Sequence, residues 1–269
     1  MTELQKVEFD ILKQFIEICD KLNLQYYLVC GSALGAVKYG GFIPWDDDVD
    51  VAMPRKDYEI FLQRAQEFLP KNLFLQNYHT DRCFPAIYSK LRNSNTTYIE
   101  KSVAHLPINH GIYIDIFPLD GYPASAVKAR ILELRKRIQK LKLFCVYEGK
   151  WGWKATLLCR VGRLLGWNRN IRKRVEKLDH LLSRYPLKTS ELWCNHGNWQ
   201  GKLEYAPKWH YGEGQMAQFE GLAVRIPACY ESYLEQKYGD YKQNLPKEQQ
   251  VGHHYYEICD CGRPYTDYM

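Results

Sequence analysis

The segment Ile43-Pro44-Trp45-Asp46-Asp47-Asp48-Val49-Asp50-Val51-Ala52-Met53 constrains this chain more than any other. Four aspartates fall within five residues, and the last two alternate with valines. Alternation at period two predicts a half-buried strand. On such a strand Asp46, Asp48 and Asp50 share one face and Asp47 points the other way. Three carboxylates crowded on one face repel one another, and a fold retains them when a cation offsets their charge. An all-oxygen ligand set suits a hard divalent ion. The run therefore predicts a Mg²⁺ or Mn²⁺ site at a strand end, with Asp48 and Asp50 as ligands, Asp46 beside them and Asp47 outside the set.

The elements around this run can be read from their periods. Leu4, Val7, Ile11, Phe15, Ile18 and Leu22 recur at steps of three and four, an amphipathic helix. Gln25 to Cys30 is an apolar run of strand length, and Gly31-Ser32-Ala33-Leu34-Gly35-Ala36-Val37 is helix-compatible after its first glycine. Pro54 opens a further helix, its fixed φ suiting the first turn, with Tyr58, Phe61, Leu62, Ala65, Phe68 and Leu69 as the buried stripe. Strands are expected near Leu73–Asn77, Ala86–Leu91 and Ile112–Phe117. From Ser125 the period turns helical: Ile131, Leu134, Ile138, Leu141 and Cys145 mark one helix, and Leu157 to Leu165 another. The expected organisation is α/β with a mixed (α+β) sheet. A mixed core spans 1–124, a basic helical insertion 125–183, and a C-terminal part that completes core and cleft 184–269.

Composition sets limits. At 269 residues and 46% hydrophobic, the chain can bury a sizeable core. No apolar run reaches the length of a membrane span. No signal-type apolar segment follows Met1-Thr2-Glu3-Leu4-Gln5-Lys6, which points to the cytoplasm. The nine cysteines, an odd number, read as reduced thiols. His253-His254 with Cys259-Asp260-Cys261 has ligand residue types but matches no common zinc spacing, so packing and surface roles are the plainer reading. The net charge of +6 hides an asymmetry, since residues 128–177 hold sixteen Lys or Arg against three Glu. That stretch can be a solvated face, a nucleic-acid surface or a lipid-surface element. Leu157, Leu158, Val161, Leu164, Leu165 and Trp167, interleaved with Arg160, Arg163 and Arg169, suit a helix lying on anionic lipid. No nucleic-acid partner is expected.

Three parts then follow in an order that suits phosphoryl chemistry. Gly31 lets backbone N–H groups approach a phosphate, with the next helix aiming its N-terminus at the anion, and Ser32 adds a hydroxyl. Asp48 and Asp50, two apart, reach one metal ion. Asp115, inside Gly111-Ile112-Tyr113-Ile114-Asp115-Ile116-Phe117-Pro118, is costly to bury without a partner and is placed to share the metal or accept a proton. Lys90 and Arg92 fall on one strand face, and Lys90 is the expected diphosphate contact. Asp120, before Gly121, reads as a turn residue. Among the tryptophans that could cage a quaternary ammonium, Trp45 is the best placed, ahead of Trp151, Trp153, Trp193, Trp199 and Trp209.

These residues resemble the LicD family of phosphocholine transferases, related to fukutin and fukutin-related protein. The resemblance is carried by Tyr27–Val37, Gly41–Asp50, Met53–Tyr58 and Ile114–Asp120. Near the C-terminus it is carried by Ile226-Pro227, Tyr230-Glu231, Leu234, Tyr238-Gly239-Asp240-Tyr241 and Pro246. It implies a nucleotidyltransferase-like core, a CDP-alcohol donor such as CDP-choline, release of CMP, and a sugar hydroxyl as acceptor. The acceptor would belong to a surface glycan such as teichoic acid, lipopolysaccharide or capsule, or to its lipid-linked precursor. The work would take place in the cytoplasm, at the inner face of the membrane. It maps the family's metal-binding aspartates onto Asp48 and Asp50 and its later aspartate onto Asp115. The competing readings are a nucleotidyltransferase that leaves a nucleotide on the alcohol, and a non-catalytic RNA-binding or scaffold protein.

Overall fold

A computed structural model of the chain describes residues 1–198, 201–252 and 254–269. Its first helix, α1 (Glu3–Leu22), starts at a capping box. The Thr2 hydroxyl accepts from the Gln5 N–H, and the Gln5 side chain accepts from the Thr2 N–H. The helix buries Ile11, Leu12, Phe15 and Ile18 against the sheet. A two-residue strand, β1 (Tyr27–Leu28), leads into α2 (Cys30–Tyr39), which Gly40 closes in the left-handed conformation. Then come β2 (Asp50–Pro54), α3 (Arg55–Arg64), β3 (Leu73–Gln76), β4 (Ser89–Asn93), β5 (Thr97–Glu100) and β6 (Ile112–Tyr122). Three helices follow, α4 (Ala126–Phe144), α5 (Trp153–Leu164) and α6 (Ile171–Leu182). The chain ends with β7 (Leu192–Asn195), β8 (Tyr205–Pro207), α7 (Lys208–Tyr211), the hairpin β9 (Gln215–Phe219) and β10 (Leu222–Ile226), α8 (Tyr230–Tyr238) and β11 (Tyr256–Asp260).

The main sheet is mixed, with order β1-β2-β6-β4-β3, as expected of an α+β fold. β6 is its spine. Its residues 112–116 pair antiparallel with β4, residues 115–119 in parallel with β2, and residues 119–122 antiparallel with β7, which carries β8. Register sets the site: Asp50 lies opposite Asp115, and Asp115 opposite Lys90, so three adjacent strands hold them in one row. Separately, β11 pairs antiparallel with β5 and brings the C-terminal segment back to the first half.

Several expectations shift. The strand foreseen across the aspartate run begins only at Asp50, and residues 46–49 are extended loop. The reason is partnership: β1 ends at Leu28 and turns into α2, so the run loses its neighbour on the β1 side, while on the other side the Val49 carbonyl still accepts from the Asp115 N–H at 2.8 Å. Gln5 holds the loop instead, its Nε2 donating to the carbonyls of Ile43 (3.3 Å) and Asp46 (3.0 Å). The strand expected over 86–91 runs over 89–93, because Ala86 and Ile87 turn away to pack with Leu132, Leu143 and Val175. The strand expected to end at Phe117 continues to Tyr122. Asp120 is therefore no turn residue. It is buried within β6, where Arg55 Nε and Nη2 donate to its two carboxylate oxygens at 2.8 and 2.6 Å. Arg55 Nη2 also lies 3.1 Å from Asp179 on α6, which ties the basic helices to the core.

All nine cysteines are free thiols.

Candidate active site

The site grows from the junction of β1, α2 and β2. α2 starts abruptly: Cys30, its first residue, has φ +53°, and the Cys30 N–H donates to the Tyr233 hydroxyl at 3.1 Å. The next residue must be small, since a Cβ on Gly31 would meet Asp46 Oδ2 at 2.8 Å. Gly31 thus lets the Asp46 carboxylate lie against the start of α2. Ser32 is turned inward, its Oγ accepting the Asp50 N–H at 2.8 Å. That bond fixes the first residue of β2 to α2, so Ser32 orients Asp50 and is not part of the cavity wall.

A cavity of about 420 Å³ opens here, within the usual range for a small-molecule site. Asp46, Asp48, Asp50, Asp115 and His254 line it together with Gly31, Cys30 and Asn198. Aromatic rings supply much of the rest: Tyr39, Trp45, Tyr88, Phe117, Tyr238 and Tyr241. Trp45 packs edge-on to Tyr39 with centroids 6.2 Å apart. Lys38 also lines the cavity, its ammonium donating to the backbone oxygens of Tyr241 at 3.1 Å and Gln243 at 2.6 Å and lying 5.9 Å from the centre of the Tyr39 ring.

Negative charge is in excess. Burial pushes Asp46 up to about 8, helped by Asp48 and Asp47, and Asp46 shares a hydrogen bond with Asp48 that favours keeping the proton on Asp46. Burial holds Asp50 well above the usual carboxylate range, with Asp48 and Asp115 adding to the effect. Burial also raises Asp48, against the pull of His254, and Asp115, against the pull of Lys90. Glu8 of α1 joins them, raised well above its ordinary value by burial and then by Asp48, Asp46 and Asp47. Among the described residues, Lys90 and His254 answer these acids. Lys90 Nζ lies 2.9 Å from Asp115 Oδ1 and 3.7 Å from Glu100 Oε2, over the Tyr113 ring. His254 comes from the far end of the chain. Its ring Nδ1 is 3.1 Å from Asp47 Oδ1, its backbone N–H donates to Asp47 Oδ2 at 3.1 Å, and Nε2 is 3.8 Å from Asp48 Oδ2. Burial works against its charge, yet Asp47 and Asp48 hold the imidazolium pKa up to about 10.

The donor set fits a hard divalent ion. Oxygen atoms of several carboxylates face one cavity, where burial first and their mutual proximity second disfavour ionisation, a cost that a bound cation would offset. Single ligand atoms of Asp47, Asp48 and His254 also lie within 4.8 Å of one another.

The structure brings Asp46, Asp48, Asp50, Asp115, Gly31 and Trp45 to the cavity. It places Ser32 behind it and Lys90 beneath it. Lys90 and Arg92 do share a strand face, but both are buried: Arg92 donates to Gln76 Oε1, the Gly111 carbonyl and Glu100. Lys90 is a buried counter-ion to Asp115, and among the described residues the lysine that lines the cavity is Lys38. Asp47 stays out of the cavity wall that holds Asp46, Asp48 and Asp50; residues 46–49 are loop, and its carboxylate turns to His254. His254, for which a packing or surface role is the plainer sequence reading, is half-buried in the acidic cluster, while His253 and Trp199 lie outside the described residues. Trp193 stacks on Tyr211, Trp151 packs on Phe144, and Trp153 and Trp209 are exposed. Two buried residues escaped the sequence reading, Gln5 and Glu8. The available signal was polarity on the apolar face of α1, three residues apart and in line with Leu12 and Phe15.

Comparison with known proteins follows the same residues. Residues 23–144 match the family model described as LicD/FKTN/FKRP, nucleotidyltransferase domain. The chain is 28% identical to the lipopolysaccharide cholinephosphotransferase LicD of Haemophilus influenzae, in an alignment covering 96% of this chain and 97% of that protein. It is also 33% identical over 116 residues to an uncharacterized protein of Rickettsia prowazekii, covering 43% of this chain and 40% of that one.

Proposed function

The chain belongs to the LicD family, and on that premise we propose that it transfers a phospho-alcohol from a CDP-alcohol to a sugar hydroxyl of a glycan, releasing CMP with the help of a divalent cation. Phosphocholine is the group favoured, by the activity named for the Haemophilus relative. The acceptor is a cell-surface glycan or its lipid-linked precursor. The observation that carries the reading is the cavity's double lining, carboxylates around Asp48 and Asp50 and aromatic rings around Trp45. A donor with a charged diphosphate and a quaternary ammonium needs both.

Asp48 and Asp50, with Asp46, would hold Mg²⁺ or Mn²⁺, which when bound neutralises charge on the donor's diphosphate. Lys38 presents its ammonium to the same anion. The start of α2 at Gly31 adds backbone N–H groups at the positive end of a helix. The rings of Trp45, Tyr39 and Tyr241 present faces to the trimethylammonium group. Asp115 accepts the proton of the sugar hydroxyl as its oxygen bonds to the phosphorus carrying the alcohol. The bond from that phosphorus to the bridging oxygen breaks, and CMP departs with the electron pair. Burial makes Asp115 more basic than a free carboxylate, and Lys90 keeps it ionised enough to serve. Ser32 and Gln5 take no part in bond changes; they hold Asp50 and the Asp46 loop in place.

The test is a panel of CDP-choline, CDP-ethanolamine, CDP-ribitol and CDP-glycerol, incubated with Mg²⁺ or Mn²⁺ and sugar acceptors. CMP together with a phospho-alcohol on the sugar supports the reading. Nucleotide attached to the acceptor would replace it with nucleotidyl transfer, and no turnover of any donor would refute it.

A further inference from the structure

Helix α4 turns an apolar stripe to the outside. Val127, Ile131, Leu134, Ile138 and Leu141 are all exposed, Leu134 at 62%. Their steps of four and three put them on one side of the helix. The side facing the protein is taken by Leu132 and Leu143, which are buried, and by Lys136 and Lys140. At 100° per residue, Lys128, Arg135 and Lys142 flank the stripe on one edge and Arg130 and Arg137 on the other. Glu133, the acid of this helix, turns inward to Lys136 and Tyr205.

The next helix repeats the arrangement. In α5, Trp153, Leu157, Val161 and Leu164 form an exposed stripe, Leu164 at 88%, beside Lys154 and Arg160. Its sequence contains no acid. α5 packs on the C-terminal end of α4, where Arg163 Nε donates to the Cys145 carbonyl at 3.1 Å and Gly162 sits against Cys145. No helix among the described residues is long and apolar enough to cross a membrane.

We propose that the exposed faces of α4 and α5 dock the protein on the surface of an anionic lipid bilayer, lying in the headgroup region. Charge complementarity selects this occupant. A water-facing helix has little use for nine large apolar side chains, and a protein partner with a plain apolar face would leave the basic borders unanswered. Apolar side chains that enter the acyl boundary while Lys and Arg reach phosphate headgroups satisfy both. A tryptophan at the edge of such a face suits the interface. The inner face of α4 reaches the cavity wall. Lys140, on the inner face of α4, donates to the carbonyls of His196 (2.9 Å) and Asn198 (3.4 Å), and Asn198 lines the cavity. The surface stands on these helices alone, independently of which reaction the cavity performs.

The experiment is vesicle flotation of the full chain, with phosphatidylcholine vesicles and with vesicles containing phosphatidylglycerol. Wild type is expected to float with the anionic vesicles and much less with the neutral ones, and salt is expected to weaken the binding. Arg135→Gln with Arg137→Gln should lower partitioning about fivefold per cation, on the order of thirtyfold together. Leu134→Ser with Ile138→Ser should lower it on both vesicle types, with an unchanged circular dichroism spectrum and an unchanged Tm as folding controls. Absence of wild-type binding to anionic vesicles, or equal binding by the variants, overturns the proposal. So does a dimer in sedimentation that the Leu134→Ser/Ile138→Ser variant converts to monomer, since the stripe is then a subunit interface.

Discussion

Replacing Lys90 by Met removes a charge from beneath the site while keeping a side chain of similar length over the Tyr113 ring. Lys90 is 3% exposed and lies 2.9 Å from Asp115 and 3.7 Å from Glu100. Taking one partner from a buried pair costs about 3–5 kcal/mol, because the remaining charge is left unanswered. The Glu100 carboxyl gives a second measure. Burial alone would raise it, but Lys90 and Arg92 outweigh burial and hold it down from 4.5 to about 2. That difference corresponds to on the order of 3 kcal/mol, shared between the two cations. A destabilisation of about 3 kcal/mol at pH 7 is therefore expected, a loss of about 6–12 °C in Tm for a chain of this size. The pH dependence has a definite sign. A depressed carboxylate contributes stability above its unfolded value, 4.5, and loses it as pH falls toward 2. The gap between wild type and variant should thus close between pH 4.5 and 2. Urea unfolding followed by tryptophan fluorescence at pH 7 and at pH 3 measures it. In turnover assays the acid limb of the rate profile should move to higher pH, since Asp115 loses the cation that lowers its pKa. A cost under about 1 kcal/mol at pH 7, or an equal cost at both pH values, would refute the pairing argument.

Asp48→Asn and Asp50→Asn should each abolish metal-dependent release of CMP. Both should melt no earlier than metal-free wild type, because each relieves repulsion in a crowded cluster; activity retained in either variant removes that residue from the metal set. Mg²⁺ or Mn²⁺ should raise the wild-type Tm, by about 2.7 kcal/mol of stabilisation at a hundredfold excess over Kd, reversed by a chelator and absent in the Asp48→Asn/Asp50→Asn double variant. His254→Ala should destabilise the metal-free protein at neutral pH. The imidazolium pKa is raised to about 10, so its contribution is complete below 6.5 and lost as pH rises through 10, and variant and wild type should converge above that pH in thermal melts.

The parts of the site legible in the sequence were those that depend on short spacing. Asp48 and Asp50 stand two apart and Asp115 interrupts an apolar strand, so crowding and burial cost are visible without any partner in view. The same holds for the helix periods; Gly31 read as a site for phosphate approach, and the close carboxylate of Asp46 that also requires it to be small came from the fold. The partners of these groups were less accessible. Lys90 read as a cleft lysine because its face could be inferred but its register with Asp115 could not. Asp120 read as a turn beside glycine because nothing local announces Arg55, sixty-five residues earlier. The outward face of α4 has the period of a core helix, and only its packing shows which side the core takes.

By itself, then, the sequence determined the chemistry available: clustered carboxylates after a Gly-Ser turn, a third on a later strand, and a separate run of basic helix. Tertiary structure alone decided where each charge finds its answer. It set His254, more than two hundred residues along the chain, against Asp47, Lys90 beneath Asp115 and Lys38 in the cavity wall. The physical reason is that a buried charge must be balanced within a few ångströms. Distances on that scale between remote segments are set by sheet register and helix packing, which no local pattern encodes.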